Sequence, residues 1–336
     1  MDIEMEKFVE DITRGIRNYL PYPIGDYEIK TMEVSKFSKK YFGMCIRKHG
    51  SEIALCHNLT EAYADYIQGI PLRKILQEMA AAEMREDISE KKSLSISLKD
   101  YDEIKKRLFI KVYSAEHPSV QNFPHTLYGD MAIVYAADFS DVIQKEGASV
   151  MLSYDILKSY DITVEQLHQD ALENTQKLFP LEVTTMEKKL GKELEKMAYE
   201  QGMNPDMLKE MMDYSWNEVP EMYVVGNKSS GGAGAIFCPG VMEQLSKFMQ
   251  GGYYIFPSSI YEMIISPDDS LLENSDMSAI VNEANQNQLF EGEILSKHAY
   301  HYDDKTGKFE MVEEYQKRLE NQKRLQSEKR RKPRQL

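Results

Sequence analysis

The spacing of apolar side chains predicts helices and strands along most of the chain. Residues 3–20 carry apolar side chains at three- and four-residue steps, which is typical of an amphipathic helix. The segments 27–37, 41–47 and 52–56 are strand-like, because apolar and polar positions alternate within them or form a short apolar run. Two further helical patterns follow. We therefore predict a small sheet with helices within residues 1–87.

A second block of strands and helices is predicted within residues 100–312. Residues 130–138 form a near-continuous apolar run, as expected of a strand at the centre of a sheet. Thr163 begins a helix, and Gln166 stands where it completes a capping box. A hairpin at 295–311 closes the block. The whole pattern predicts an α+β fold, with a small N-terminal sheet and a larger mixed sheet, each accompanied by helices.

Three segments depart from this regular pattern. Residues 88–99 are polar and weakly patterned, so we interpret them as a linker. Residues 186–215 are rich in methionine and predict a helical excursion of two helices broken at Gly202. Residues 313–336 form a basic C-terminal tail. We expect this tail to be exposed or disordered, because clustered charges with few apolar side chains cannot bury a core.

Composition narrows the class of protein. A chain of 336 residues with 42% hydrophobic and 29% charged residues suits a globular protein of two domains and excludes wholesale disorder. The longest apolar run, Met131 to Ala137, is too short to span a membrane, and the acidic N-terminus lacks the apolar region of a signal peptide. Three cysteines argue against a disulfide framework. We therefore predict a cytoplasmic protein without membrane contact.

The net charge of −14 is distributed unevenly. Residues 315–336 hold nine basic and two acidic residues, which leaves a net charge of −21 on residues 1–314. A body this acidic repels nucleic acid and anionic membranes, so any binding of a polyanion would use the tail. The candidate phosphate-binding side chains are Lys323, Arg324, Lys329, Arg330, Arg331, Lys332 and Arg334.

Two groups of residues could support hydrolytic chemistry. Cys238 precedes a predicted helix, whose dipole could lower the pKa of the thiol and make it a nucleophile. The alternative is a buried structural cysteine. His125 in a loop and Asp130 at a strand end could form a general acid–base pair, or could be a loop anchor and a turn residue.

Two other motifs resemble known binding sites without meeting their requirements. Cys45, His49, Cys56 and His57 lie close together, but their spacing is not that of a zinc site. The glycine-rich segment 229–234 leads into apolar residues rather than a helix, so we predict a hairpin turn instead of a phosphate-binding loop. We predict no metal and no cofactor.

These observations leave three functional hypotheses. The first is a non-enzymatic accessory or protein-interaction module, whose partner binds the methionine-rich residues 186–215, because thioether side chains repack easily. The second is a nucleic-acid-associated protein that uses the basic tail. The third is a hydrolase-like enzyme centred on Cys238 or on His125 and Asp130.

Several segments, in this order and spacing, are similar to a known family. They include FPHTLYGDMAIVYAADF (123–139), MYVVGNKSSGGAGAIFCPGVMEQL (222–245) and YYIFPSSIYEMIISPDD (253–269). Across about residues 1–312 the chain resembles an uncharacterised bacterial family, domain of unknown function 5688. The helix at 163–178 and the strand–helix–strand pattern after it are distantly similar to domain of unknown function 1444. The resemblance implies a fold and a bacterial origin, but no reaction, cofactor or catalytic residue, and the basic tail lies outside it.

Overall fold

The chain forms two compact units. The computed structural model describes residues 3–20, 24–35, 40–49, 54–93, 98, 100–143, 147–202, 204, 221–268, 276–288 and 291–331. The first unit comprises Met1–Glu103 and Phe139–Ala148, and the second comprises Ile104–Asp138 and Ser149–Leu336. The first unit is therefore built from two separate stretches of the chain.

The first unit contains a three-stranded antiparallel sheet and several helices. The strands lie in the order β1-β2-β3. The strands are β1 (Tyr27–Ser35), β2 (Lys40–Lys48) and β3 (Leu55–Asn58), and the helices are α1 (Ile3–Gly15), α2 (Leu59–Ile67), α3 (Leu72–Ser93) and the short α5 (Ser140–Ile143). Helix α4 (Tyr101–Lys105) lies where the chain passes to the second unit.

One apolar cluster forms the core of this unit. Phe8, Val9 and Ile12 make the buried face of α1, at the spacing that predicts an amphipathic helix. Met44 and Ile46 join the same cluster from β2. Because side chains two residues apart share one face of a strand, the other face of β2 points away from this core.

Helix α3 continues into the segment interpreted as a linker. It ends at Ser93, so residues 88–93 are helical. The segment holds Glu and Lys but neither Gly nor Pro, and such side chains permit a helix to continue even where no apolar stripe marks it. Residues 94–97 and 99 lie outside the described residues.

The second unit contains two antiparallel sheets. In the smaller sheet β6 pairs with β4, β5 and β7, and the larger has the order β13-β12-β10-β11-β9-β8. The strands are β4 (Leu108–Ser114), β5 (His125–Tyr128), β6 (Met131–Asp138), β7 (Ser149–Met151), β8 (Glu182–Thr185), β9 (Tyr223–Gly226), β10 (Tyr253–Ser259), β11 (Glu262–Pro267), β12 (Tyr300–Asp303) and β13 (Lys308–Met311). The helices are α6 (Tyr154–Ser159), α7 (Val164–Leu178), α8 (Met186–Gln201), α9 (Val241–Met249), α10 (Met277–Gln288) and α11 (Val312–Arg331). These elements confirm an α+β fold.

Strand β6 and helix α7 have the positions that their sequences predict. Every residue of β6 before Asp138 is buried, as a central strand requires. The Thr163 side chain accepts a hydrogen bond of 3.2 Å from the Gln166 amide and so begins α7. On the buried face of α7, the Thr175 hydroxyl accepts a 3.0 Å hydrogen bond from the Ile110 amide of β4. Helix α7 is thereby fixed against the smaller sheet.

The glycine-rich segment does not form the predicted hairpin. Residues Gly232–Phe237 form a buried 3-10 helix instead of a strand. A Cβ atom on Gly232 would lie 2.4 Å from the Tyr261 carbonyl oxygen and 2.5 Å from that of Asn227. The hairpin prediction is therefore wrong: these glycines permit close packing of a loop against neighbouring backbone.

The methionine-rich excursion begins with the predicted helix. Helix α8 ends at Gln201, and Gly202, the position of the predicted break, caps it in a left-handed conformation with φ of 65°. Residues 205–220, which include the second predicted helix, lie outside the described residues.

The predicted hairpin near the end of the body is present. It consists of β12 and β13, and Gly307 has a positive φ in the turn between them. Helix α11 follows directly. Among the helices of the described residues, none combines the length and apolarity that crossing a membrane requires.

Candidate functional site

We call residues 312–318 the base of helix α11. The largely buried side chain of Arg318 attaches this base to the larger sheet. The Arg318 guanidinium lies 2.7 Å from the Asp303 carboxylate of β12, and its Nε donates a 2.8 Å hydrogen bond to Glu310 of β13. It also lies 5.3 Å from the centre of the Tyr315 ring. Hydrogen bonding to Glu310 raises the pKa of Arg318 above its usual value, so the side chain stays charged.

An aromatic contact adds to this attachment. The buried His301 ring of β12 stacks on Tyr315 with a centroid separation of 3.6 Å. Its Nε2 lies 3.2 Å from Asp268, whereas its buried Nδ1 has no hydrogen-bond partner among the described residues. Val312, at the first position of α11, is also buried. The base of the helix therefore has both apolar and charged contacts with the sheet.

The remainder of α11 is exposed. We call residues 320–331 the outer half of α11; every side chain described in it, from Glu320 to Ser327, is exposed. The outer half carries five basic residues against two acidic ones. The basic residues are Lys323, Arg324, Lys329, Arg330 and Arg331. Helix α11 is thus attached to the sheet by its first turns, and its outer half carries a net positive charge.

The structure separates the predicted phosphate-binding residues into three groups. Lys323 and Arg324 have exposed side chains. Lys329, Arg330 and Arg331 belong to the last turns of α11. Lys332 and Arg334 lie outside the described residues. Lys323 and Arg324 are therefore the two candidates whose side-chain positions the structure describes.

A polar cleft of about 960 Å³ lies between α10 and the base of α11. Asp276, Glu283 and Glu313 give its lining a negative charge. The Glu313 carboxylate accepts a 2.6 Å hydrogen bond from the Ser278 hydroxyl and lies 3.3 Å from Nδ1 of His298. Because the lining is acidic, this cleft does not extend the cationic surface of α11.

His168 of α7 lies between two tyrosines of the smaller sheet. Nε2 of His168 is 3.3 Å from the Tyr128 hydroxyl, and Nδ1 is 3.1 Å from the Tyr135 hydroxyl. The Tyr135 hydroxyl is also 2.7 Å from that of Thr126. Burial lowers the pKa of His168 and raises that of Tyr135 to about 12. The network is therefore neutral near pH 7.

Sequence reasoning did not single out this network. Its members come from β5, β6 and α7, so no local spacing joins them. A signal was nevertheless present, because His168 directly follows Leu167 in the buried stripe of α7. A histidine beside such a stripe needs hydrogen-bond partners on the surface that the helix covers.

Cys238 is buried. It follows the 3-10 helix Gly232–Phe237, and burial raises the pKa of its thiol to about 12. A nucleophilic cysteine needs the opposite shift, since the thiolate is the reactive form. The environment of Cys238 is that of a structural cysteine.

His125 and Asp130 are not brought together as an acid–base pair. His125 pairs with Val134 at one end of the β5–β6 hairpin, and its Nδ1 lies 2.9 Å from the Phe123 carbonyl oxygen. Asp130 lies in the turn at the other end of that hairpin. Its carboxylate accepts hydrogen bonds from Tyr300 and Ser296 instead.

Three of the four residues considered for zinc lie in strands of the small sheet and are divided between its two faces. Cys45 and Cys56 lie opposite each other on neighbouring strands. His57 points to the other face, where Nε2 lies 2.8 Å from Glu83. No group of three metal-ligating side chains is found in the part of the chain that the structure describes.

The methionine-rich segment exposes apolar side chains on α8. Tyr199 is 88% exposed and Met197 is 46% exposed, whereas Ala198 between them is buried. Lys189 holds the other end of the helix through a 2.7 Å ion pair with Glu262 of β11.

Comparison with known proteins identifies a family without an established activity. Residues 5–304 match the family of unknown function DUF5688. The chain belongs to this family. No curated protein and no solved structure matches it. Helix α11 begins after the matched region.

Proposed function

We propose that this protein is a non-enzymatic binding module and that the outer half of α11 contacts a nucleic acid. The observation that carries the proposal is the contrast along one helix. Arg318 and Tyr315 attach its base to the sheet, while Lys323 and Arg324 beyond them are exposed. A fixed base lowers the entropy that a binding element loses when it meets its partner.

The charge pattern of the outer half suits phosphate contacts without base readout. Successive residues on a helix are 100° apart, so Lys323 and Arg324 point in different directions. No aromatic residue is present to stack on bases. The acidic body opposes contacts elsewhere, which restricts the anionic partner to this helix.

The proposal includes a cytoplasmic location in a bacterium, where nucleic acid is accessible. The odd number of cysteines favours this compartment. The hydrolase hypothesis has no support from its candidate residues, because Cys238 is buried and Asp130 is engaged by Tyr300.

Fluorescence anisotropy with random-sequence DNA and RNA tests this function. The full chain should bind at low salt, and the affinity should fall steeply as salt is added. The double variant Lys323→Glu/Arg324→Glu should bind at least about tenfold more weakly. The plot of log K against log salt should also become less steep, by about 2 in the magnitude of its slope, since two phosphate contacts are lost.

A matched variant separates a local effect from a change in net charge. Lys158→Glu/Lys192→Glu alters two exposed lysines on α6 and α8, and changes the net charge by the same amount. It should bind with nearly unchanged affinity. Absence of binding by the full chain at low salt, or equal weakening by both double variants, would contradict the proposal.

A protein partner on α8 is the second candidate function. It rests on the exposed apolar side chains of Tyr199 and Met197, which stand on a helix whose start is fixed by Lys189. Large exposed aromatic and methionine side chains are characteristic of interfaces.

Affinity capture from the host with purified variants tests this second candidate. A stoichiometric partner should be retained by the native chain and by Met84→Ala, an exposed methionine on α3. It should be lost with Met197→Ala/Tyr199→Ala. Retention of the same partner by that double variant would exclude α8 as the binding surface.

A further inference from the structure

Two cysteines of the first unit face each other across neighbouring strands. Cys45 of β2 is directly opposite Cys56 of β3, and their Sγ atoms are 2.8 Å apart. Directly opposed residues of antiparallel strands have Cα atoms about 4.5–5.5 Å apart. This separation lies within the range that a disulfide bond spans.

The pair lies on the face of the sheet that points away from the core. Lys30 is opposite Cys45 on β1 and is well exposed, and Met32 on the same face is 51% exposed. Met44 and Ile46, the neighbours of Cys45 in sequence, point into the core. Both thiols are only partly buried. Small molecules in solution can therefore reach them.

A glycine provides the space for one of the sulfurs. A Cβ atom on Gly43 would lie 2.7 Å from Sγ of Cys56 and equally close to the Val34 side chain. Gly43 precedes Cys45 by two residues and shares its face of β2. The missing side chain thus lets the Cys56 sulfur lie beside Cys45.

We propose that Cys45 and Cys56 form a reversible dithiol–disulfide pair that low-molecular-weight disulfides oxidise. The thiolate of one cysteine attacks the oxidant disulfide, which gives a mixed disulfide and releases one oxidant thiolate. The second cysteine then attacks the protein sulfur of the mixed disulfide. The Cys45–Cys56 bond forms, the second oxidant thiolate leaves, and the two protons lost by the protein thiols end on the released thiols.

The surroundings set the rate of this reaction. Burial and the adjacent Cys56 thiol raise the pKa of Cys45 to about 12. The thiolate fraction of Cys45 is consequently small at neutral pH, so attack by Cys45 is slow there and accelerates as the pH rises. Cys238 is buried in the second unit and lies outside the reach of the oxidant. It serves as an internal reference.

Titration of the reduced full chain with glutathione disulfide in glutathione buffers at pH 8 tests the pair. After an acid quench, unfolding and alkylation, the number of alkylated cysteines should fall from three to one. The remaining alkylated residue should be Cys238. Peptide mapping of the non-reduced protein should show a bond between Cys45 and Cys56 within one chain. This mapping uses the native sequence and does not depend on the folding of a variant.

Three variants supply the controls. Cys45→Ser and Cys56→Ser should each abolish the internal bond and leave the remaining thiol either reduced or joined to glutathione. Cys238→Ala should keep the midpoint of oxidation unchanged. Bonds between chains, a bond that includes Cys238, or three alkylated cysteines in glutathione disulfide alone would each overturn the proposal.

Discussion

The hydroxyl of Tyr300 donates a hydrogen bond to the carboxylate of Asp130, a residue 170 positions earlier in the sequence. The same hydroxyl oxygen accepts a 3.1 Å hydrogen bond from the Asp130 amide. Gly129 makes this approach possible, because a Cβ atom there would lie 2.3 Å from the Tyr300 hydroxyl oxygen. The contact joins the turn between β5 and β6 to strand β12, and so connects the two sheets of the second unit.

Removal of the Tyr300 hydroxyl should destabilise the protein. Tyr300→Phe leaves the Asp130 amide without this partner and its carboxylate with one donor fewer, although Ser296 still donates to it. Hydrogen bonds to charged groups contribute about 1.5–3 kcal/mol, and we expect a loss of that size in the free energy of unfolding. Urea denaturation followed by circular dichroism measures it.

Tyr199→Phe is the matched control for this prediction. The Tyr199 side chain is 88% exposed, so loss of its hydroxyl should change the free energy of unfolding by less than about 0.5 kcal/mol. Equal effects of the two variants would show that the contact with Asp130 does not stabilise the fold.

A methyl group at Gly232 should be poorly tolerated. Its Cβ would meet the Tyr261 and Asn227 carbonyl oxygens at 2.4 and 2.5 Å, and backbone cannot yield as a side chain can. We expect Gly232→Ala to lower the free energy of unfolding by at least about 1–3 kcal/mol. Thermal unfolding of the purified variant provides the measurement.

The control for Gly232 is another glycine of the same unit. Gly191 lies within α8, and a Cβ atom added to it would have open space around it to a distance of 4 Å. Gly191→Ala should therefore stabilise the protein by about 0.5–1 kcal/mol through helix propensity. A destabilisation by Gly191→Ala similar to that of Gly232→Ala would contradict the steric explanation.

His168 should make stability depend on pH. Burial lowers its pKa in the folded state, so below about pH 6.5 the unfolded chain binds more protons at this residue than the folded chain does. The contribution of His168 is thus fully present above that pH and decreases as the pH falls toward the folded-state pKa. His168→Gln should remove this part of the dependence.

Chemical denaturation of both proteins between pH 4.5 and 8 measures the effect. The difference in the free energy of unfolding between native chain and variant should be larger at pH 8 than at pH 5. A difference that is constant with pH would show that burial does not perturb His168.

Loss of the Arg318 side-chain charge should loosen α11. Arg318→Gln removes the ion pairs with Asp303 and Glu310, in a site where all three side chains are less than a fifth exposed. We expect a destabilisation of about 1–3 kcal/mol and faster amide hydrogen exchange in the first turns of α11. Lys323→Gln, on the exposed outer half, should leave exchange in those turns unchanged.

The sequence predicts those parts of the fold that depend on local pattern. The apolar run of β6 and the Thr163 cap of α7 each determine an element by themselves. The prediction for the Gly232 segment is wrong because flexible glycine runs suit both a hairpin turn and a closely packed loop. The closely packed loop forms because the backbone of Tyr261 lies against Gly232. The sequence around Gly232 does not reveal that contact.

The candidate site shows the same limit. Counting charges identifies the basic tail, but it gives Arg318 the same weight as Lys323. Only the pairing of β12 with β13 shows that Arg318 is neutralised by Asp303 and Glu310. The cysteine pair is similar, since Cys45 and Cys56 meet through the register of β2 and β3.

The division of the first unit into two stretches has a consequence for biosynthesis. Phe139–Ala148 complete this unit, yet the ribosome makes them only after β4, β5 and β6. Three strands of the second unit therefore leave the exit tunnel while the first unit still lacks α5. Domains usually fold in the order of their synthesis. In addition, the end of β6 that pairs with β7 stays without this partner strand until residues 149–151 have been made.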